Sequence, residues 1–451
     1  MISEDEILQL DKGNDRLEAI GLSLGEAKTM LAGIQERMVT AQAASFAARH
    51  RGCPICGRPR RSKGPSPIVF RTAFGTVPLA SPRFYRCRCQ PAAPKTVSPL
   101  TELFTEHTAP ELLYLETKWA SLVSFDLTAQ LLNEVLPLAG TAQACTVRRH
   151  LHRVAARHET ELGAGQPDAI KDAPAEGRPG QVGQDPIIVG IDGGYVRNWD
   201  DKKHNFEVMV GKSLAAGRED RYFGLVRSQD DQPDRRFGAV LQSQGLSRSP
   251  AVTLLTDGGD SVRALAGEIA PSAVPILDWF HIAMRLTGLG QYTRGLAHHN
   301  PVEATALENR LERIKWRLWH GDAEEARTRA EQLAADVAAL DSSYPRLTRL
   351  IKATADLAGY IADNAVAIPD YSQRWLSGER ISTAFVESTV NLVVSRRFAK
   401  KQQMQWSKQG AHLLLQTRTR TLDGTLRDLF TRWYPAMAAN DNEVALSAAA
   451  A

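Results

Sequence analysis

The 451-residue sequence predicts an α/β fold, with a sheet core in its second half that a long all-helical insertion interrupts. Three observations carry this expectation. Two short apolar runs, Pro186 to Asp192 and Ala251 to Leu255, each close on Asp-Gly-Gly, as buried strands do. From Trp279 to about Asn364 the pattern is almost wholly helical and rich in Glu, Arg, Ala and Leu. Before the core, helical periodicity is first broken at Arg51 to Pro94, where Pro, Gly, Cys and Arg rise together. A chain of this length exceeds one ordinary domain.

In chain order, residues 1–50 place Leu8, Leu17, Ile20, Leu24, Met30, Ile34 and Met38 at helical spacing, which predicts an N-terminal helical segment. Residues 51–95 form a cysteine module with short β-like pieces such as Ile68 to Phe74. Residues 96–162 return to helix, and 163–185, rich in Gly, Pro, Ala and Gln, read as an exposed linker. Residues 186–281 then carry five strands: the two Asp-Gly-Gly strands, Phe206 to Val210, Tyr222 to Val226 and Val274 to Leu277. A helix at Asp234 to Gln244 and another after Asp257 lie among them. Residues 282–370 are the helical insertion, 371–430 the closing helices with one at about Ser382 to Phe398, and 431–451 a flexible tail. Three antiparallel-capable strands, then helix, strand, helix and strand, is the order of a ribonuclease-H-like core.

The apolar share of 43% and charged share of 24% belong to a globular chain, and no run approaches the eighteen or more apolar residues of a membrane span. Met1 to Leu10 is acidic and lacks a signal-peptide core, so an intracellular, cytoplasmic location is expected. Net charge is only +4, but basic residues cluster at Arg58 to Lys63, Arg83 to Arg88, Arg148 to Arg157 and Arg396 to Lys401. Clusters of this kind serve as phosphate contacts or as solvated faces.

Four of the five cysteines fall in two close pairs, Cys53-Pro-Ile-Cys56 and Cys87-Arg-Cys89. Four thiolates with a β-rich interval suit tetrahedral Zn²⁺ in a closed structural site, a zinc-ribbon-like module. Cys145 is left over, as a small residue of a helix. Ala129 to Leu138 and Ala142 to Ala155 are two helical patterns joined by a short turn at Gly140, the spacing of a helix-turn-helix and also of an ordinary helical hairpin. The second carries Thr146, Arg148, Arg149, His150, His152 and Arg153, a basic set suited to the major groove.

Asp192 and Asp257 are each expected at the C-terminal end of a strand, the edge of an open α/β sheet where ligands bind. Asp-Gly is also common turn chemistry, so each alone says little. A third acid, Glu387, stands on the closing helix, with Asn391 one turn on and Arg396, Arg397 and Lys400 beyond it. Three carboxylates so placed would hold Mg²⁺ or Mn²⁺ and support an in-line displacement at a phosphodiester by two metals. In that reading Asp192 bridges both ions, and Asp257 and Glu387 take one each.

Asp192-Gly-Gly, Thr256-Asp257-Gly-Gly, Asp278-Trp-Phe-His281 and the run from Arg380 through Glu387 to Asn391 resemble bacterial insertion-sequence transposases of the DDE class, the ISKra type in particular. The resemblance covers roughly Cys53 to Arg420 and is strongest from Pro186 onward. It implies a ribonuclease-H-like core with an all-helical insertion, and cutting and joining of element ends. It also implies Mg²⁺ or Mn²⁺ dependence, and as partners the terminal inverted repeats, target DNA and further copies of the chain in a dimer or larger assembly. Expected with it is a cytoplasmic, nucleoid-associated protein of a bacterium. In the wider class a Cys or Asp, two residues, then His often follows the second Asp, as Asp278 and His281 do here, which adds His281 to the catalytic candidates. The Tyr-x-x-Arg-x-x-x-Glu signature of other DDE families is absent, with Thr383 at the Arg position. Trp279, Trp316 and Trp319 are candidates for stacking on an unpaired base, or for helix packing. The rival readings are an inactive zinc-dependent DNA-binding regulator and an actin-like or sugar-kinase-type ATPase.

Overall fold

The computed structural model describes residues 17, 20–164, 187–244, 252–270, 273–399 and 404–438; nearly all of the expected linker and the end of the expected tail lie outside them. The chain is a mixed α/β protein with two sheets, and it divides into two compact units, Met1–Arg153 with Leu426–Ala451 and Val154–Thr425.

In the first unit, helix α1 (Leu24–Arg49) opens on a capping box in which the Ser23 side chain and the Glu26 carboxylate satisfy each other's backbone N–H groups. The hairpin β1 (Ser62–Thr72) and β2 (Gly75–Tyr85) follows, with β3 (Thr96–Val97) antiparallel to β2. Alternation places Val77, Leu79 and Ser81 inward and Thr76, Pro78 and Ala80 outward. Val77 and Leu79 pack on Val39, Ala43 and Ala47 of α1 and on Leu100 of α2 (Leu100–Leu103), one apolar cluster of this unit. Three further helices complete it: α3 (Pro110–Leu122), α4 (Phe125–Val135) and the first half of α5 (Ala144–Ala164).

The second unit is built on a five-stranded sheet of order β6-β5-β4-β7-β8. Strands β4 (Ile187–Arg197), β5 (Asn205–Leu214) and β6 (Arg221–Leu225) form an antiparallel meander. After α6 (Pro233–Ser243), β7 (Val252–Thr256) returns parallel to β4, and β8 (Val274–Leu277), after α7 (Asp260–Ile269), parallel to β7. Ile187, Val189 and Ile191 pack from one sheet face onto Phe237 and Leu241 of α6 and Val262, Leu265 and Ile269 of α7.

The expected strand end at Asp192 is not seen. β4 runs on through Gly193 and Gly194 to Arg197, because β5 keeps pairing with it, Gly193 opposite Met209 and Gly194 opposite Val208. The glycines serve packing, not a turn.

A helical bundle follows: α8 (Trp279–Leu296), α9 (Pro301–Trp319), α10 (Ala323–Ala338) and α11 (Leu347–Asn364), with the short α12 (Tyr371–Leu376). Leu289, Leu307, Leu311, Ile314, Leu333, Leu357 and Ile361 recur at helical spacing and form its apolar centre, continuous with Leu255, Ile276 and Leu277 of the sheet. The closing helix begins as α13 (Ala384–Val390) and widens into a π-helix at Asn391–Ala399. Then α14 (Lys408–Leu422) packs on β6, and α15 (Leu426–Trp433) belongs to the first unit, where Met437 beyond it is also buried. Among the described residues, no helix is long and apolar enough to cross a membrane.

Candidate functional site

The register of the large sheet sets two carboxylates on neighbouring strands. In the parallel pair of β4 and β7, Ile191 opposite Thr256 is the last pair, so the residues that follow are Asp192 and Asp257. The Gly193 N–H donates to Asp192 Oδ1 at 2.7 Å, and the Gly259 N–H donates to Asp257 Oδ1 at 2.9 Å. Gly258 takes φ +77°, open to glycine because it has no Cβ to clash.

Helix α13 brings the third carboxylate. Residues 190, 192 and 194 share one face of β4. A Cβ on Gly190 would stand 2.0 Å from Val386 Cγ2, and one on Gly194 would stand 3.2 Å from Val390 Cγ1. The two glycines therefore let α13 lie directly on the strand at either side of Asp192. Glu387, next to Val386, is exposed there. Burial first, then the charges of Asp257 and Glu387, push Asp192 up to about 6, against the opposing pull of the Gly193 N–H and His281.

His281 belongs to the same cluster. Asp278, fully buried, caps α8 by accepting from the Phe280 N–H at 2.8 Å, and its other oxygen meets His281 Nδ1 at 2.8 Å. The Thr383 hydroxyl donates to that same oxygen. Burial works against the Asp278 charge, but the bonds from His281, Thr383 and Phe280 win and hold its carboxyl below the usual range. The Asp278 bond, aided by the charges of Asp257 and Asp192, raises His281 against the opposing effect of burial. Asp192 thus feels the charges of Asp257, Glu387 and His281, and His281 those of Asp257 and Asp192.

In the first unit the four expected cysteines converge. Cys53 and Cys89 Sγ are 3.4 Å apart, Cys56 and Cys87 3.5 Å, and Cys56 and Cys89 3.5 Å. Tetrahedral zinc with Zn–S bonds near 2.3 Å requires sulfurs about 3.8 Å apart, so the donor set is compatible with structural zinc. Cys53 and Cys56 are held by a tight knuckle in which the Gly57 N–H donates to the Cys53 carbonyl at 2.9 Å and Gly57 adopts φ +69°. The backbone N–H groups of Cys56 and Ile55 lower the Cys53 thiol, whereas the neighbouring sulfurs raise Cys89, opposite shifts within one set of interacting thiols. Cys145 lies exposed on α5.

Around that cluster the charge is one-sided. From Arg51 to Thr101 the chain holds ten Lys and Arg and not one Asp or Glu. Arg61 and Lys63 both lie over the Tyr85 ring, at 5.0 and 5.9 Å from its centroid. On α5, Arg148, Arg149 and Arg153 are exposed, Arg153 paired with Glu106 at 3.2 Å. His150 does not join that face: it is buried and bonded to Glu116. In the π-helix Arg396 is exposed, whereas Arg397 is buried with its guanidinium 5.1 Å from the Trp406 ring, and burial lowers it to about 9. Lys400 lies outside the described residues.

The tryptophans separate in the same way. Trp279 packs edge-on against Trp319 at 4.8 Å and against Tyr371 at 5.0 Å, whereas Trp316 is half exposed. Sequence reasoning missed Thr383, Tyr360 and the pair Gly190 and Gly194. Glycines two residues either side of a strand acid were a usable signal of close approach. Nothing marked Tyr360, which reaches Asp257 from the far end of the insertion. No protein-family model matches the chain, and no curated protein matches it.

Proposed function

We propose that this protein is a DNA transposase that cuts and joins the ends of an insertion element at Asp192, Asp257 and Glu387. The observation that supports the reading is that Asp257 and Glu387 lie near enough for their charges to act on Asp192, whose carboxyl burial, then those charges, push up to about 6. The order of the sheet, an antiparallel meander followed by two parallel strands, supports a ribonuclease-H-like core. The helices α8 to α11 fall between the second acid and the third, where the all-helical insertion is expected.

The donor set is all carboxylate oxygen, which suits Mg²⁺ or Mn²⁺. Two such ions, when bound, would activate a water or a 3′-hydroxyl and stabilise the leaving oxygen of a phosphodiester. The chain's own part is to hold the acids in place: Gly193 and Gly259 N–H groups fix one oxygen each of Asp192 and Asp257. His281, whose proton the Asp278 bond helps to hold, offers a donor to a phosphate oxygen. Arg148, Arg149, Arg153, Arg396 and the acid-free zinc module supply phosphate contacts along DNA, and α4 with α5 a helix-turn-helix reading of the terminal repeats. Synapsis of two ends calls for at least two copies of the chain, acting in the bacterial cytoplasm.

The test is cleavage of a supercoiled plasmid carrying the element's ends, with and without Mg²⁺. Asp192→Asn, Asp257→Asn and Glu387→Gln are each expected to lose strand cleavage while DNA binding persists. Tight end binding with no cleavage by the parent protein would leave the DNA-binding regulator as the better reading. Cleavage that survives in all three variants would reject the triad.

A further inference from the structure

Helix α11, in the bundle, reaches back to the turn that carries Asp257. The Tyr360 hydroxyl donates to the Asp257 carbonyl oxygen at 2.8 Å. One turn on, Asn364 donates to the Tyr360 carbonyl at 2.9 Å and accepts from Arg263 Nη1 at 3.2 Å. Its Oδ1 occupies the space that a Cβ on Gly258 would need, at 2.7 Å. Arg263 also donates to the Asp363 carbonyl at 2.7 Å, tying α7 to the end of α11. The Asp257-Gly258-Gly259 turn is therefore held by side chains of the insertion as well as by its own strand.

Arg285 lies on top of Tyr360, its guanidinium carbon 3.9 Å from the ring centroid. It stands one turn beyond His281 on α8, hence on the same helix face. It is exposed, and among the described residues no carboxylate forms an ion pair with it. An arginine laid on an aromatic ring still has N–H groups to offer an anion besides the one that meets the Tyr360 hydroxyl.

We propose that Tyr360 is a positioning residue for Asp257, and that Arg285, stacked on it, binds a phosphate of the nucleic-acid substrate beside the carboxylates. The inference rests on the metal-dependent reading of Asp192, Asp257 and Glu387. Tyr360 fixes the main chain of Asp257 and so the direction in which its carboxylate leaves β7. Arg285 uses the same ring as a platform and brings a cation to the site without quenching an acid.

The two roles separate by readout. Mn²⁺ affinity, followed by electron paramagnetic resonance of the full-length protein, is expected to fall about tenfold in Tyr360→Phe, the size seen when a partner of a metal ligand is lost. Phe retains the ring and the Arg285 stack, so the metal-free protein is expected to melt only slightly lower, by the loss of one hydroxyl hydrogen bond, and to remain folded. Arg285→Ala leaves Mn²⁺ affinity undiminished but weakens binding of a DNA duplex and lowers the salt dependence of that binding by about one phosphate contact. Parent Mn²⁺ affinity in Tyr360→Phe, alongside its loss in Asp257→Asn, overturns the positioning role. An unchanged salt slope in Arg285→Ala overturns the phosphate contact. A parent protein that binds no Mn²⁺ fails earlier, at the functional reading, and takes the inference with it.

Discussion

Arg236, 5% exposed, donates to Asp230 Oδ2 at 2.8 Å and to Glu159 Oε1 and Oε2 at 3.0 and 2.8 Å. His412 closes the cluster: its Nδ1 accepts from the Val226 N–H at 3.3 Å, so Nε2 carries the proton that faces Glu159 at 3.5 Å. Glu159, Asp230 and His412 stand at metal-binding distance of one another, but Arg236 already supplies the counter-charge, and the cluster is a buried ion network joining α5, α6 and α14. Burial opposes the Glu159 charge, yet His412 and Arg236 overcome it and hold the carboxyl at about 2, below its ordinary 4.5. A folded value below the unfolded one contributes stability that is present above pH 4.5 and is lost as pH falls through 2. Acid should therefore remove on the order of 3 kcal/mol between about pH 5 and pH 2 through this group alone. Glu159→Gln is expected to flatten that part of the stability profile in urea titrations. An equally steep loss in the variant would place the acid sensitivity elsewhere. Truncating the other partner, Arg236→Ala, strands buried carboxylates and should destabilise by about 3–5 kcal/mol.

At the scale of elements, the contact that matters most for the site is α13 on β4. It depends on two missing side chains, and they are not equivalent: a Cβ at 190 meets Val386 at 2.0 Å, and one at 194 meets Val390 at 3.2 Å. Gly190→Ala should displace α13 and with it Glu387, costing roughly 1–3 kcal/mol of stability and the metal-dependent activity. Gly194→Ala should be the milder of the two in both readouts. Urea unfolding and Mn²⁺ titration of the pair decide it, and equal effects would mean that the helix seat does not set Glu387. Beyond Val390 the helix widens into the π form, where Arg418 donates to the carbonyls of Val393, at 2.7 Å, and Leu392. Carbonyls drawn toward a buried guanidinium in this way account for the departure from α-helical bonding.

Taken whole, the chain has two units, each with an apolar core of its own. The first unit buries one hairpin face against α1 and α2 and further apolar residues within its helices, among them Leu112, Leu132, Val147 and Leu151, and an acid-free, basic segment surrounds the cysteines. The cysteine module there would gain stability from a bound metal, whereas the second unit is stabilised by a sheet packed on helices and by a bundle. We expect one zinc per chain, with Cys56→Ser losing it and losing specific end binding. Chelation should abolish a calorimetric transition of the first unit while that of the second stays. A parent protein purified free of zinc, with both transitions intact, would reject a structural metal.

Much of this was legible in the residues themselves. Strand positions, the helical insertion and the cysteine pairs follow from local signals: periods of 2 and 3.6, turn residues and ligand spacing, all properties of short segments. Asp192 and Asp257 stood out because glycines follow them, although the inference that β4 ends at Asp192 was wrong. Pairing with β5 keeps Gly193 and Gly194 extended, and no local signal carries a partner strand's reach. Arg397 and His150 illustrate the same limit, since polarity and helical position alone placed them outward. A ring at Trp406 and a carboxylate at Glu116 draw them in, and neither partner lies on the same helix as the residue it holds. Thr383 locking Asp278, and Tyr360 holding the Asp257 carbonyl, join residues 105 and 103 positions apart. The sequence by itself determined which chemistry is present: three acids, a histidine, four thiols and an uneven spread of cations. Only the tertiary structure decided which of them meet and which face solvent, because register and packing bring together groups that no local periodicity can pair.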